Sequence, residues 1–314
     1  MLRISGYNPT RKNMDRRSFI KLGVSSGIVA TSGMRGLMAD AIAPSGIPDM
    51  VAVRNGEPAQ MLDAALKAFG GMKSFIKPGQ RVCVKPNIGW DKSPEMAANT
   101  NPELVRRTVE HCFEAGAREV VVFDHTCHRW QACYSNSGIE RAAKEAGAKV
   151  VSGDSELYYH EVEIPNGVAL KKDKVHQAIL EADAVINLPI IKHHGAARIT
   201  LSLKNLMGTN WDRGHWHHTN LNQCIADFAT RFKPTLNIVD GYRILMQNGP
   251  IGNSLDDVHL MKTLLVGTDM VALDTAATRI FGGNPADISY LGLAQDLGVG
   301  TMDLASLNVQ RIAL

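Results

Sequence analysis

The sequence lacks the features that mark the common metal, redox and nucleotide-binding proteins. It contains five cysteines in 314 residues, no C-x-x-C pair, and none of the closely spaced cysteine runs that hold ferredoxin clusters. An odd cysteine count in a chain of this length argues against a disulfide framework. A phosphate-binding G-x-x-x-x-G-K-[ST] loop, an H-E-x-x-H zinc motif and a glycine-rich fingerprint after the first predicted strand are also missing. These absences argue against the familiar nucleotide-hydrolysing, metalloprotease and dinucleotide-binding classes.

The net charge and the aromatic content are low as well. The net charge is +3 and aromatic residues make up 6% of the chain. Basic residues are not clustered or interleaved with aromatics, as they are in nucleic-acid grooves, so we expect no nucleic-acid partner. A hydrophobic content of 45% with 21% charged residues is typical of a globular domain.

The N-terminal part of the chain carries an export pattern. Residues 15–21 read DRRSFIK and are similar to the twin-arginine signal, and a modest apolar region, Leu22–Ala30, follows. That region is too short for a transmembrane helix, so we expect no stable membrane insertion.

This pattern predicts a signal peptide and leader over residues 1–43 and one α/β domain over residues 44–314. We therefore expect the twin-arginine translocase to be a partner during export, and a periplasmic or otherwise exported location. Met1 and Met14 both remain open as the start of translation.

Strand and helix patterns alternate along residues 44–314. The run EVVVF at 119–123 is typical of a buried strand, whereas apolar residues recur at helical spacing over Pro58–Phe69. Such alternation predicts an α/β fold, with a mainly parallel sheet, helices on both faces and a crevice at the strand ends. We also predict a hairpin over 152–173, a helix over 175–182, and a loop rich in histidine and tryptophan over 209–220.

Polar groups stand at the ends of four predicted strands. They are Lys85-Pro86-Asn87, Asp124-His125, Lys192-His193-His194 and Asp240-Gly241. Because parallel strands bring their carboxyl ends to one edge, we expect these groups to converge, together with Lys204 and Asn205. The predicted catalytic residues are Lys85, His193, Lys204 and Asp240, and the predicted ligand- or cofactor-binding residues are Asn87, Lys192 and Asn205.

Histidines offer two further interpretations. His193 and His194 face opposite ways on an extended chain, so we expect only one of them, His193, to reach the crevice. A divalent metal or a cluster could be held by side chains around the strand end at Asp124-His125, or by the 215–218 loop. The predicted metal ligands are Asp124, His125 and His128, with Cys127 and Cys133 beside them. Asp274, on an apolar helix, is either a buried orienting carboxylate or a solvent-facing one.

Several segments together resemble the DUF362 family. They are Lys85-Pro-Asn87, Asn101-Pro102, Gly138-Ile-Glu, LPIIKH ending at His193, SLKNLMG over 202–208, Val239-Asp-Gly241, Asn248-Gly-Pro250 with Gly252, and 269–274. The resemblance covers residues 50–310. Many members of that family carry a ferredoxin-like segment and look like iron–sulfur proteins, but this chain lacks those cysteines. The strand-end histidine with a later lysine is also distantly similar to lactate racemase-like proteins, which use a nickel pincer cofactor; no cofactor residues are carried over.

Three functional hypotheses remain open. The first is an exported enzyme, metal- or cofactor-dependent and of a redox or other class, that acts on a small anionic molecule. The second is a non-catalytic accessory protein that binds a metal or an iron–sulfur cluster. The third is a solute-binding domain. A small-molecule ligand is expected in the first and third.

Overall fold

Twelve strands and ten helices make up residues 46–314, the part of the chain that the computed structural model describes. The strands are β1 (Met50–Arg54), β2 (Arg81–Pro86), β3 (Glu119–Val122), β4 (Lys149–Val150), β5 (Tyr159–Glu163), β6 (Lys172–His176), β7 (Ala184–Leu188), β8 (Ile190–His194), β9 (Arg198–Thr200), β10 (Leu236–Leu245), β11 (Val258–Gly267) and β12 (Val309–Ala313). The helices are α1 (Pro58–Ala68), α2 (Pro102–Glu114), α3 (Trp130–Asn136), α4 (Ile139–Glu145), α5 (Gln177–Leu180), α6 (Ser202–Asn205), α7 (Arg213–Thr219), α8 (Leu221–Arg231), α9 (Met270–Phe281) and α10 (Ser289–Asp296).

The predicted twin-arginine signal and the choice between Met1 and Met14 lie outside the described residues. Within residues 46–314, every helix is too short or too polar to cross a bilayer.

Ten of these strands form one mixed sheet that is mostly parallel. Its order is β12-β1-β11-β10-β7-β2-β3-β4, with β8 and β9 attached beside β10. Among the described strands of this sheet, β9 and β11 run against the rest. The other two strands, β5 and β6, form a separate antiparallel hairpin. The prediction of a mainly parallel α/β sheet is confirmed.

Successive side chains along a strand pack into two different cores, one on each face of the sheet. On β2, Cys83 packs into a core with α8, α9 and α10, whereas Val82 and Val84 pack into a second core with α1, α2 and α4. This period of two is what an extended chain imposes. Helices therefore cover both faces of the sheet, as predicted.

Pro189 separates β7 from β8, because proline cannot donate to a strand ladder. Two local segments differ from expectation. The predicted 175–182 helix begins only at Gln177, since Val175 belongs to β6 and the His176 ring accepts a hydrogen bond from Ala178 N at 3.0 Å. The predicted 209–220 loop contains helix α7, which Asp212 caps by accepting from His215 N at 3.0 Å.

Asp274 positions helix α6 and is fully buried. Its carboxylate oxygens accept hydrogen bonds from Ser202 N at 2.8 Å and Leu203 N at 2.9 Å. Free N–H groups at a helix start need such acceptors. Of the two interpretations of Asp274, the buried orienting carboxylate is the one that the structure shows.

Replacing Asp274 with alanine leaves both α6 N–H groups without their acceptor inside the core. We expect the free energy of unfolding to fall by about 1–3 kcal/mol, measured by urea denaturation. Asp296 is exposed on α10, and its alanine variant should stay within about 0.5 kcal/mol of the parent. Equal effects of the two variants would contradict this role.

Candidate functional site

A cavity of about 430 Å³ opens at the carboxyl edge of the parallel strands. Its walls come from the ends of β2 and β3, from β8, and from helices α6 and α7. Seven of the ten predicted site residues line it: Lys85, Asn87, Asp124, His125, Lys192, Lys204 and Asn205. Three of the four predicted strand ends therefore meet at this cavity, and the fourth, Asp240-Gly241, does not.

The floor of the cavity holds a buried ion pair between Lys85 and Asp124. Lys85 Nζ lies 2.9 Å from Asp124 Oδ1, and both side chains are at most 3% exposed. The other carboxylate oxygen accepts from Ile88 N at 2.6 Å. Burial lowers the pKa of Lys85, and the charge of Asp124 opposes that shift.

Gly208 closes directly over this ion pair. A Cβ atom at this position would lie 2.0 Å from Asp124 Oδ1 and 2.7 Å from Lys85 Nζ. A backbone hydrogen bond keeps Gly208 close to the ion pair, because His125 N donates to Gly208 O at 3.0 Å. The ion pair therefore requires glycine at position 208.

Two amide side chains connect the lysines. Asn205 Oδ1 accepts from Lys85 Nζ and from Asn87 Nδ2, each at 3.0 Å. Asn87 Oδ1 in turn accepts from Lys192 Nζ at 3.0 Å. The Asn205 amide group also donates to Asn187 Oδ1 at 2.8 Å, which fixes its orientation. Since amides are neutral, this network orients the ammonium groups without cancelling their charge.

Lys192 and Lys204 are buried and have no carboxylate partner among the described residues. Lys192 Nζ donates to Asn87 Oδ1 and to Ala98 O, and Lys204 Nζ donates to the sulfur of Met207 at 3.0 Å. Burial lowers the pKa of Lys192 to about 7 and that of Lys204 to about 8. Both ammonium groups can therefore lose a proton near neutral pH.

Arg213 completes the positive wall from helix α7. Its guanidinium donates to His125 O and Thr126 O, each at 2.7 Å, and to Cys127 Sγ at 3.2 Å. Arg213 lines the cavity but is not among the predicted site residues, because the sequence predicts a loop over residues 209–220. His217, which belongs to the 215–218 loop considered for a metal, lines the cavity as well. The signal that could have found Arg213 is Asp212, an N-cap residue placed directly before it.

His194 lines the cavity and His193 does not, contrary to the expectation for this pair. On β8, His194 shares a face with Lys192, two positions earlier, so a site that contains Lys192 receives His194. Backbone N–H groups of Ala196 and Ala197 donate to His194 Nδ1 at 3.2 Å. Burial, together with Lys204 and Lys192, lowers the pKa of His194 to about 2, so this ring is neutral. His193 Nδ1 instead accepts from Gly249 N at 3.0 Å.

Asp240, a predicted catalytic residue, supports the backbone and does not line the cavity. Its carboxylate accepts from Asn101 N at 2.8 Å and Tyr242 N at 3.0 Å, and so anchors the start of α2. Burial raises the pKa of Asp240 to about 6.

The three predicted metal ligands do not form one donor set. Asp124 is paired with Lys85, and His125 Nδ1 is directed at Asn210 O at 2.8 Å. His128 is exposed and packs edge-on against Trp90. No group of three or more His, Cys, Asp or Glu side chains in residues 46–314 is arranged to hold a metal ion. The residues present therefore do not fit a metal or cluster site.

Comparisons with known proteins agree with the sequence resemblance. A family model described as a domain of unknown function, DUF362, matches residues 82–279, more than half of the chain. A protein of Synechocystis sp. named "Thylakoid-associated protein sll1697" is 28% identical over 246 residues, which are 76% of this chain and 74% of that protein.

Similarity to solved structures is distant. A protein from Thermotoga maritima matches with a TM-score of 0.43 and 10% identity over 77% of this chain and 60% of its own. The lactate racemase apoprotein from Thermoanaerobacterium thermosaccharolyticum matches with a TM-score of 0.35 and 10% identity, over 78% of this chain and 56% of its own. The chain thus spans less than two thirds of either structure.

Replacing Lys204 with methionine removes the unpaired charge and keeps much of the side-chain volume. We expect the free energy of unfolding at pH 6 to rise by about 1 kcal/mol or more, because a buried ammonium without an anion is unfavourable. The gain should shrink as the pH rises from the folded-state pKa of about 8 toward the unfolded value of about 10.4, where wild-type stability recovers. Urea denaturation at several pH values measures both effects.

Two matched variants test the explanation. Lys85→Met should lower the free energy of unfolding by about 3–5 kcal/mol, since it leaves Asp124 charged and unpaired. Lys67→Met, on the exposed side of α1, should change it by no more than about 0.5 kcal/mol. A loss of stability in Lys204→Met similar to that in Lys85→Met would contradict the assignment of an uncompensated charge.

Proposed function

The chain belongs to the DUF362 family, and we propose that in this member the cavity binds a small anionic molecule and acts on it as an acid–base enzyme. The excess of positive charge carries this proposal. Among the described residues, the buried Lys85, Lys192 and Lys204 and the half-buried Arg213 line the cavity against one carboxylate, Asp124, which is already paired with Lys85. Buried charges are normally paired, and the described residues supply no further carboxylate here, so the proposed partner is a bound anion.

A carboxylate or a phosphate fits the available donors. Arg213 offers a planar fork that matches either group, and lysine ammonium groups supply point charges beside it. The cavity volume, about 430 Å³, lies in the range of small-molecule sites. Trp90, Met207 and Pro250 add apolar wall for the uncharged part of a ligand.

Lys204 is the proposed proton donor and acceptor. A pKa of about 8 makes both protonation states available at neutral pH, as general acid–base catalysis requires. Lys192, Arg213 and the protonated form of Lys204 hold the anion in this proposal, and Asn87 and Asn205 orient Lys85 and Lys192. Lys85 with Asp124 fixes the electrostatic floor, because that pair is complete without a ligand.

The alternative of a metal or iron–sulfur accessory protein draws no support from the described residues. The five cysteines are free thiols, and four of them are buried. None of the five belongs to a group of described side chains that could hold a metal ion. Elemental analysis of the purified full-length chain tests this alternative. Stoichiometric iron or nickel would favour the accessory protein over the proposed acid–base enzyme.

Sulfate and malonate serve as probes for the anion site, since sulfate keeps its charge across the neutral pH range. Isothermal titration of the full-length protein should show binding that Lys204→Met and Arg213→Gln each weaken about tenfold, the effect of one lost charge contact of about 1.4 kcal/mol. Lys67→Met should bind as the parent does. Binding of sulfate should weaken as the pH rises past about 7 and about 8, where Lys192 and Lys204 lose their protons.

Absence of binding of both anions by the parent protein would overturn the proposed function. Equal binding by the parent and both cavity variants would place the anion elsewhere.

We also propose export of residues 44–314 through the twin-arginine translocase, with residues 1–43 as signal and leader. The DRRSFIK pattern of residues 15–21 supports it. Changing Arg16 and Arg17 together to lysine should abolish accumulation outside the cytoplasm, measured by cell fractionation and immunoblotting. Changing Arg3 and Arg11 to lysine is the control and should leave accumulation unchanged. Export by the twin-lysine variant would contradict the proposal.

A further inference from the structure

We propose that Cys127 is a nucleophile of this cavity and forms a covalent bond with an electrophilic carbon of a small molecule that also carries a carboxylate. This inference rests on the proposed anion site and adds to it the chemical class of compound that the site takes. It combines an accessible thiol with a buried, uncompensated ammonium group in one cavity.

Cys127 differs from the other cysteines in its surroundings. It is exposed and lines the cavity, whereas Cys83, Cys112, Cys133 and Cys224 are buried. Burial raises the pKa of Cys83 to about 12 and that of Cys133 to about 11, so these groups stay protonated thiols. Since a dissolved reagent reaches an exposed thiol more readily than a buried one, reactivity should concentrate at Cys127.

Positive groups surround the Cys127 sulfur. Arg213 Nη1 donates to Sγ at 3.2 Å, and Lys192 and Lys204 lie within electrostatic reach of it. These three cations therefore attract an anionic reactant to the sulfur.

The backbone around Cys127 is held in place. Cys127 N donates to Gly89 O at 2.8 Å, and the preceding carbonyl, of Thr126, accepts from Arg213 Nη2 at 2.7 Å. The same guanidinium thus fixes the peptide and contacts the sulfur. A nucleophile fixed in this way needs little reorganisation before it reacts.

Lys204 is the second, independent observation that points to a ligand here. The residue is only 8% exposed and lines the same cavity, and its acceptor among the described residues is the weak sulfur of Met207. A carboxylate would supply the missing acceptor. A compound held there through its carboxylate would have its remaining atoms inside the same 430 Å³ as Cys127 Sγ.

The covalent step is a nucleophilic substitution. The thiol first loses its proton to solvent, the Sγ electron pair then forms a bond to carbon, and the leaving group departs with the electron pair of the broken bond. No external oxidant or reductant takes part. Iodoacetate is the matching probe, since it joins a carboxylate to an electrophilic carbon and releases iodide.

The test compares iodoacetate with iodoacetamide, its neutral analogue, on the full-length protein, with alkylation of each cysteine followed by peptide mass spectrometry. We expect the iodoacetate-to-iodoacetamide rate ratio at Cys127 to be at least about tenfold higher in the folded protein than in urea, the effect of one favourable charge contact. Lys204→Met should lower the ratio by a similar factor, and Lys67→Met should leave it unchanged. Excess malonate should protect Cys127.

Three outcomes would overturn the proposal: an equal ratio in the folded and unfolded chain, faster alkylation of a buried cysteine, or an unchanged ratio in Lys204→Met. Titration of Cys127→Ser with sulfate separates this failure from failure of the proposed function. Sulfate binding by that variant, without charge-selective alkylation of the parent, would retain the anion site and reject the nucleophile. If the parent protein does not bind sulfate, both the anion site and the nucleophile are rejected.

Discussion

The contact between Lys85 and Asp124 is the interaction on which the site depends. It joins the ends of two adjacent parallel strands, β2 and β3, and both of its side chains are almost fully buried. A buried ion pair adds little net stability when compared with apolar side chains, but removal of one partner is severe. Its value here is positional, because it fixes the floor against which Asn205, Asn87 and the remaining lysines are arranged.

Helix α6 is the second element of that arrangement. It has four residues, too few to be stable alone, and Asp274 on a distant helix holds its first N–H groups. Lys204 and Asn205 are both carried on this one turn. A buried carboxylate with no contact to the cavity thus determines where two cavity residues stand.

Much of this architecture could be predicted from the sequence, since it follows from local rules. β-branched runs, the Asn101-Pro102 helix start and the alternation of elements predict the parallel sheet, and that sheet brings the polar strand ends together. The error at His193 was avoidable, because strand alternation from Lys192 selects His194. Asp240 illustrates what could not be predicted: a strand-end carboxylate looks the same in sequence whether it faces a cavity or accepts two backbone N–H bonds. Arg213 lies on a short helix whose start Asp212 marks in the sequence, but its place in the cavity wall depends on the tertiary packing of the buried Trp216.

Gly208 has a consequence for comparison within the family. The contact between Lys85 and Asp124 fills the space that a side chain at position 208 would need, and even a Cβ atom does not fit there. Any other residue at position 208 would force Lys85, Asp124 or the backbone of residue 208 to shift. The identity of this one residue therefore decides whether a chain with the same scaffold can keep the charged floor in this geometry.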